Sequence, residues 1–149
     1  LSHGFIHADY IHLFFNMFTL YQFGRLAEVI LFNKTQYILL YLTALVASSL
    51  FDFVKQKNNS GYAALGASGA VFGVLAAFAI LFPNQEFLLY FAIPVKAKFL
   101  VGGYIIYEIY QSFQHNPNDQ VAHLAHVGGA IAGALIVLYW RKKDRTNFY

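Results

Sequence analysis

The 149-residue chain contains no cysteine, few charged residues and few acids. The lack of cysteine excludes a disulfide framework, a thiol nucleophile and a thiolate metal site. Charged residues make up 11% of the chain, whereas a soluble domain averages about 25%. A soluble domain of this size could not cover its surface with so few charges, so we expect lipid to surround most of this protein.

Apolar residues fill the space that charge leaves, since 58% of the chain is hydrophobic and 19% aromatic. They form five segments, at about 6–32, 37–54, 68–82, 99–113 and 121–140. The first, second and fifth reach the ~20 residues that a helix needs to cross a bilayer, and the third and fourth are shorter. The pattern predicts an all-α membrane protein, a polytopic helical bundle in one domain over residues 1–149.

The basic residues predict an orientation. The net charge is +3, but the basic residues lie in short clusters and do not form the stripe typical of nucleic-acid binding. If the apolar segments alternate in direction, eight of the ten Lys and Arg residues fall on the side of the C-terminal tail. Cytoplasmic loops carry such an excess. The chain would then start on the outer side, without Met and without the pattern of a signal peptide, so we expect a further helix before it.

Three places put polar groups inside apolar segments, and intramembrane polar groups are functional candidates. His12 and Asn16 lie four residues apart and share a helix face. The Asn16 amide offers two N–H donors and carries no charge, which would suit an oxyanion in an apolar site. Hydrogen bonds to a neighbouring helix are the alternative explanation for this pair.

Ser68 begins the third segment, between Gly66 and Gly69. These glycines allow a substrate backbone to approach, and the start of the helix directs free N–H groups toward the serine. The pattern is not the G-x-S-x-G elbow of soluble hydrolases, because Ala70 stands where that motif has its second glycine. Taken alone, a packing serine is the simpler explanation.

His126 begins a glycine stripe that continues at Gly129 and Gly133, and Gly69 and Gly73 form a matching stripe after Ser68. Two helices with GxxxG stripes pack backbone against backbone. Such contact would bring Ser68 and His126 within hydrogen-bonding reach, roughly 2.6–3.2 Å. The spacing therefore favours a serine–histidine pair.

Taken together, these motifs resemble those of the rhomboid family of intramembrane serine proteases. The matching patterns are H-x(3)-H-x(4)-H-x(3)-N at His3, His7, His12 and Asn16, G-x-S-G at 66–69 and A-H-x-x-G at 125–129. The resemblance implies a six-helix core, of which this chain would hold five helices and lack the first. It also implies hydrolysis of peptide bonds in transmembrane segments of other membrane proteins, within the bilayer and without a cofactor or metal.

The resemblance also implies a role for each matching residue. Ser68 would be the nucleophile and His126 the general base, with His12, Asn16 and the Ser68 N–H as the oxyanion hole. Phe72 would stack on the catalytic histidine, while Gly66, Gly69, Gly129 and Gly133 would support the site. We expect a catalytic dyad without an acid and explain Glu108, which lies in the fourth segment, by an inter-helix hydrogen bond. The functions of His3, His7, His123 and Glu108 stay open.

Two other functions remain as alternatives. A catalytically inactive relative that binds or escorts membrane helices would keep the fold, although such relatives usually lose the serine or the histidine. A metal or haem protein could use His3, His7 and His12, but zinc proteases need glutamate after the first histidine, and Gly4 stands there. We expect a bacterial inner membrane with a cytoplasmic C-terminus. The substrate and the oligomeric state cannot be predicted from the sequence.

Overall fold

The computed structural model describes residues 2–24, 34–58, 65–89, 92–114 and 121–143. A 3-10 turn, Ser2–Phe5, precedes the first helix. The five α-helices of the described part are α1 Tyr10–Thr19, α2 Lys34–Gln56, α3 Ser68–Leu81, α4 Ala97–Phe113 and α5 His123–Lys143. A π-helical turn, Leu20–Gly24, extends α1. Between α3 and α4 lies a hairpin of β1 Glu86–Leu89 and β2 Ile93–Lys96.

Helix α3 lies at the centre of the bundle. Every residue from Gly69 to Phe78 is buried, because α2, α4 and α5 all pack around this helix. A helix that is apolar on every side has no face to turn to water and is buried. Leu40 of α2 and Val137 of α5 meet Val74 and Ala77 of α3 in one core cluster. The surrounding helices therefore fix the position of the first turn of α3, where Ser68 lies.

The outer faces of the surrounding helices are also apolar. Large hydrophobic side chains are exposed along α1, α2, α4 and α5, among them Ile106 at 68% and Leu135 at 62%. A soluble protein rarely exposes such continuous apolar surface, so this exterior agrees with a lipid environment. Within the described residues, one helix, α5, is both long and apolar enough to cross a membrane on its own, with a mean hydropathy of 1.5.

The helix boundaries can be compared with the predicted segments. α3 and α4 fall almost where the third and fourth segments were expected, and α5 extends past the predicted end into Arg141, Lys142 and Lys143. The second segment forms a helix of 23 residues, which is long enough to cross a bilayer as expected but is not among the helices apolar enough to do so by composition. Of the first segment, residues 25–32 lie outside the described part.

The hairpin was not predicted. Its strands are antiparallel and pair Glu86 with Lys96 and Leu89 with Ile93. Pro94 fits because a two-stranded hairpin consists of edge strands alone. The backbone N–H of Ala97, the first residue of α4, donates to the carbonyl of Gln85 (2.8 Å) and joins the hairpin to that helix.

Candidate active site

Two glycine stripes bring α3 and α5 into backbone contact. A side-chain carbon added to Gly129 would overlap the carbonyl oxygen of Gly69, and one added to Gly133 would overlap that of Gly73. The two helices therefore cross as closely as their backbones allow, as the GxxxG spacing predicts. Gly69 also faces the hydroxyl of Ser48 on α2, so no side chain fits at this position without displacing a neighbouring helix.

This crossing puts Ser68 next to His126. The serine Oγ and the histidine Nε2 are 2.7 Å apart. This is a hydrogen-bonding distance, as the spacing of the glycines predicts. His126 is buried, with 7% of its surface exposed. Phe72, one turn after the serine, stacks on the histidine ring with centroids 4.4 Å apart and planes 9° from parallel. The phenyl ring of Phe72 thus keeps Nε2 of His126 directed at the serine hydroxyl, as a general base requires.

His12 lies beside the chain segment that leads to Ser68. Gly66 has a positive φ of 104°, which L side chains rarely adopt. A side-chain carbon there would lie 2.6 Å from Cε1 and 2.8 Å from Nε2 of the His12 ring. Two features therefore require glycine at position 66: the positive φ of its backbone and the imidazole of His12, which leaves no room for a side chain.

Asn16 is buried one turn further along α1, and its side-chain amide donates to the backbone carbonyl of His12 (2.9 Å). An amide nitrogen carries two N–H groups, and this bond occupies one of them. The geometry therefore brings His12 to the serine loop and fixes Asn16 against the His12 backbone. The oxyanion role of both residues stays a prediction.

The two histidines nearest the start of the chain make other contacts. His3 Nε2 lies 2.7 Å from the hydroxyl of Ser49 on α2, and His7 meets the His12 ring edge-on at 5.2 Å. His3 thus ties the first turn of the chain to α2, and His7 packs on the ring that covers Gly66.

His126 has an acidic partner, although the sequence predicted no acid in contact with this histidine. Glu108 of α4 is 2% exposed, and its Oε2 lies 2.9 Å from Nδ1 of His126. The same oxygen lies 2.6 Å from Nδ1 of His123. The expected inter-helix hydrogen bond of Glu108 therefore exists, and its partner is the candidate base itself.

These three residues also form a possible metal-ligand group, since their ligand atoms lie within 4.8 Å of one another. Two ligands bound tetrahedrally to one zinc ion at ~2.0–2.1 Å are about 3.3 Å apart. The N···O distances of 2.6 and 2.9 Å are shorter than this and fit hydrogen bonds. A bound ion would have to separate the carboxylate from both rings.

The sequence contains features that could have predicted the contact of Glu108 with His123 and His126. Glu108 is an acid inside an apolar segment, and His123 and His126 are three residues apart, which puts them on one helix face. Helices α4 and α5 follow one another in the chain, and consecutive elements are usually neighbours in space. The prediction failed because nothing in the sequence fixed which face of α4 turns toward α5.

Comparison with known proteins supports the same family as the motifs. The chain is 31% identical to rhomboid protein 1, mitochondrial, of Saccharomyces cerevisiae, over 95% of this chain and 41% of the yeast protein. It is 31% identical to rhomboid protease GluP of Bacillus subtilis, over 86% of this chain and 23% of that protein. Presenilin-associated rhomboid-like protein A, mitochondrial, of Danio rerio is 28% identical, over 95% and 38% of the two chains. The chain thus spans less than half the length of these relatives. No solved structure matches.

The relatives bear on location as well. Their names include mitochondrial proteins, which conflicts with the bacterial setting expected from the sequence, while an integral membrane location agrees with the family and with the apolar exterior. The model of the rhomboid domain family matches residues 1–143. This chain belongs to the rhomboid family.

Proposed function

We propose that this protein is an intramembrane serine endopeptidase that cleaves transmembrane segments of other membrane proteins. The observation that carries the proposal is the 2.7 Å contact between Ser68 Oγ and His126 Nε2, inside a helical bundle whose exterior is apolar. The name of GluP, a rhomboid protease, supports the same activity. Small residues on both helices allow the close crossing that brings Ser68 and His126 together.

The mechanism is acyl transfer. His126 Nε2 accepts the proton of the Ser68 hydroxyl as Oγ attacks the peptide carbonyl of the substrate, and the carbonyl electrons move to its oxygen. That oxyanion accepts hydrogen bonds from the Ser68 N–H, His12 and Asn16. The proton on His126 then passes to the leaving amine and the C–N bond breaks. Water, deprotonated by His126, releases the acyl group and restores the serine.

The length of α3 supports a reaction below the membrane surface. Its 14 residues extend about 21 Å, against a hydrocarbon core of about 30 Å. Ser68 is the first residue of this helix, so a helix that reaches the opposite interface puts the serine about 9 Å deep. Substrate peptide bonds at this depth lie within transmembrane segments. We propose a multi-pass arrangement with the site toward the outer face and the basic end of α5 inside.

The experiment is labelling of the purified full-length protein with a fluorophosphonate probe, beside Ser68→Ala and His126→Ala. Cleavage of a single-pass membrane protein in proteoliposomes is measured in parallel. We expect labelling and cleavage in the wild type and neither in the two variants. A folded wild type that is not labelled would favour the alternative, an inactive relative that binds or escorts membrane helices.

A further inference from the structure

Glu108 is an acid in the interior of an apolar bundle. The buried polar side chains of the described residues are Asn16, Ser48, Glu108 and His126, and Glu108 is the acid among them. Burying a charge is costly unless it is paired and hydrogen-bonded. Nδ1 of both histidines in the first turn of α5 lies within hydrogen-bonding distance of one oxygen of this carboxylate. The contact therefore meets the condition under which a buried carboxylate is tolerated.

The geometry determines which nitrogen of His126 carries a proton. An ionised carboxylate only accepts hydrogen bonds, so Nδ1 of His126 must donate to Glu108 Oε2. A neutral imidazole has a single N–H, which leaves the lone pair on Nε2. That lone pair faces the hydroxyl of Ser68 at 2.7 Å. The carboxylate thus selects the tautomer in which His126 can accept the serine proton.

We propose that Glu108 is a positioning residue that completes a Ser68–His126–Glu108 triad, with His123 holding its carboxylate in place. The inference rests on the proposed function of Ser68 and His126 as a hydrolytic pair. Glu108 touches neither substrate nor reacting atoms and acts through His126. When His126 accepts the serine proton it becomes a cation, and the carboxylate 2.9 Å away stabilises that cation in surroundings where water is scarce.

His123 fixes the position of the Glu108 carboxylate. Its Nδ1 donates to the same Oε2 at 2.6 Å, while its own side chain is 10% exposed. Two donors on one oxygen fix the carboxylate rotamer, so that the glutamate is already in place before the proton moves. Without His123, Glu108 would keep one donor and gain rotational freedom. His123 therefore acts on His126 through Glu108, in addition to the edge-on contact between the two imidazole rings at 6.4 Å.

A purely structural role for Glu108 as an inter-helix hydrogen bond makes a different prediction. Glutamine has the same shape and keeps a side-chain oxygen that accepts from His126, so Glu108→Gln would then leave turnover intact. In a triad the carboxylate is required, because the NH₂ group of a glutamine donates to Nδ1 of His126 and selects the tautomer whose Nε2 carries the proton. Replacing the acid with its amide in a soluble serine protease lowers kcat by about 10⁴. The amide variant thus separates the two roles.

The test measures kcat and KM for a single-pass substrate in proteoliposomes, and the rate of fluorophosphonate labelling, for the full-length wild type and Glu108→Gln. Glu86→Gln is the matched control, because Glu86 is exposed on β1 and loses the same charge. We expect kcat and labelling rate to fall at least 100-fold in Glu108→Gln, with KM within about 2-fold, on the scale of triad disruption. The control should match the wild type.

A second pair of variants covers a Glu108→Gln protein that does not fold. His123→Phe removes the donor to Glu108, and His123→Asn keeps an N–H near the same position. We expect His123→Asn to retain a larger share of kcat than His123→Phe. Where Glu108→Gln does fold, the Glu108→Gln/His123→Phe double variant should be no slower than Glu108→Gln alone.

The outcomes separate this inference from the proposed function. A wild type that neither cleaves nor labels overturns both. An active wild type together with an equally active, folded Glu108→Gln overturns the triad alone and leaves the dyad. If only the His123 variants fold, equal kcat in His123→Phe and His123→Asn overturns the assignment.

Discussion

Phe72 shows how a single apolar ring contributes to a polar site. It lies between His126, on which it stacks, and the ring of Tyr104 on α4, at 4.8 Å. The residue therefore joins three helices and restricts rotation of the imidazole at the same time. Hydrogen bonds at Nδ1 and Nε2 define the plane of His126, and the phenyl face keeps the ring in that plane.

We expect Phe72→Leu to slow fluorophosphonate labelling of Ser68. An aromatic pair contributes about 0.5–1.5 kcal/mol beyond its burial. If all of this energy holds His126 in its reactive orientation, its loss slows labelling by roughly 2- to 12-fold. Phe78→Leu is the matched control, because Phe78 is a buried phenylalanine of the same helix whose ring partners are other phenylalanines. Equal labelling rates in the two variants would contradict a role for the stacking.

At the scale of single residues, the sequence predicted that Ser68 would meet His126 but did not predict the contact between His126 and Glu108. Ser68 and His126 could be matched because each stands just ahead of a glycine stripe, and stripe spacing depends only on the helical period. The Glu108 contact depends on the rotation of α4 about its axis. Rotation follows from the packing of many side chains, and the exposed faces of α4 are apolar as well, so hydrophobic periodicity did not indicate which face is inward.

At the scale of the elements, the crossing of α3 and α5 sets the reactive distance. Their contact surface is made of backbone, with Gly73 approaching the carbonyl of Gly129 and the side chain of Ala44 as well. Close-packed backbone cannot adjust as a flexible side chain can. Any added atom must therefore separate the helices that carry Ser68 and His126.

We expect Gly129→Ala to lower the cleavage rate by about 10²-fold, because a displacement of about 1 Å at the reacting groups has that effect. Gly103→Ala is the control. A side chain at Gly103 meets nothing within 4 Å, and alanine is the better helix former by about 0.8–1.0 kcal/mol. We expect the control to cleave normally and to unfold at an equal or higher temperature. Normal cleavage by Gly129→Ala would show that the helices can separate without loss of function.

The helices were easier to predict than the hairpin. Long apolar segments define α2 to α5 because burial or lipid contact requires an apolar run of helical length. The hairpin, 86–96, has strands of four residues, one of which contains Pro94, and runs this short carry little periodicity. α1 is 10 residues long, and the π-helical turn that extends it reflects local packing that no periodicity encodes.

At the scale of the whole molecule, the candidate active site and the basic last turn of α5 lie at opposite ends of the bundle. Contacts of Ser48 and Ala44 with Gly69 and Gly73 show that α2 runs opposite to α3. Ser68, His126, His12 and Glu108 consequently share one end, and the start of α2 lies at the other. The basic last turn of α5 is at that other end too. Such a distribution agrees with the positive-inside rule.

We expect single cysteines at the two ends to react from opposite sides of the membrane. The chain has no cysteine of its own, so Asn58→Cys, exposed after α2, and Lys142→Cys, exposed near the end of α5, each give a single thiol. In sealed vesicles of known orientation, a membrane-impermeant maleimide should label one of them before permeabilisation and both afterwards. Labelling of both before permeabilisation would contradict a site and a basic end on opposite faces.

Glu108 also has a consequence for biogenesis. An ionised side chain at the centre of an inserting helix costs about 2.5–3.5 kcal/mol, and Glu108, in the second half of α4, carries a part of that cost. The two histidines that compensate this acid are on α5, which is synthesised later. Stable insertion of α4 should therefore await α5. We expect a glycosylation-mapping assay to find less insertion of α4 in a chain ending at residue 114 than in one ending at residue 143. Glu108→Gln should remove the difference, and equal insertion of the two unmodified chains would contradict this order of assembly.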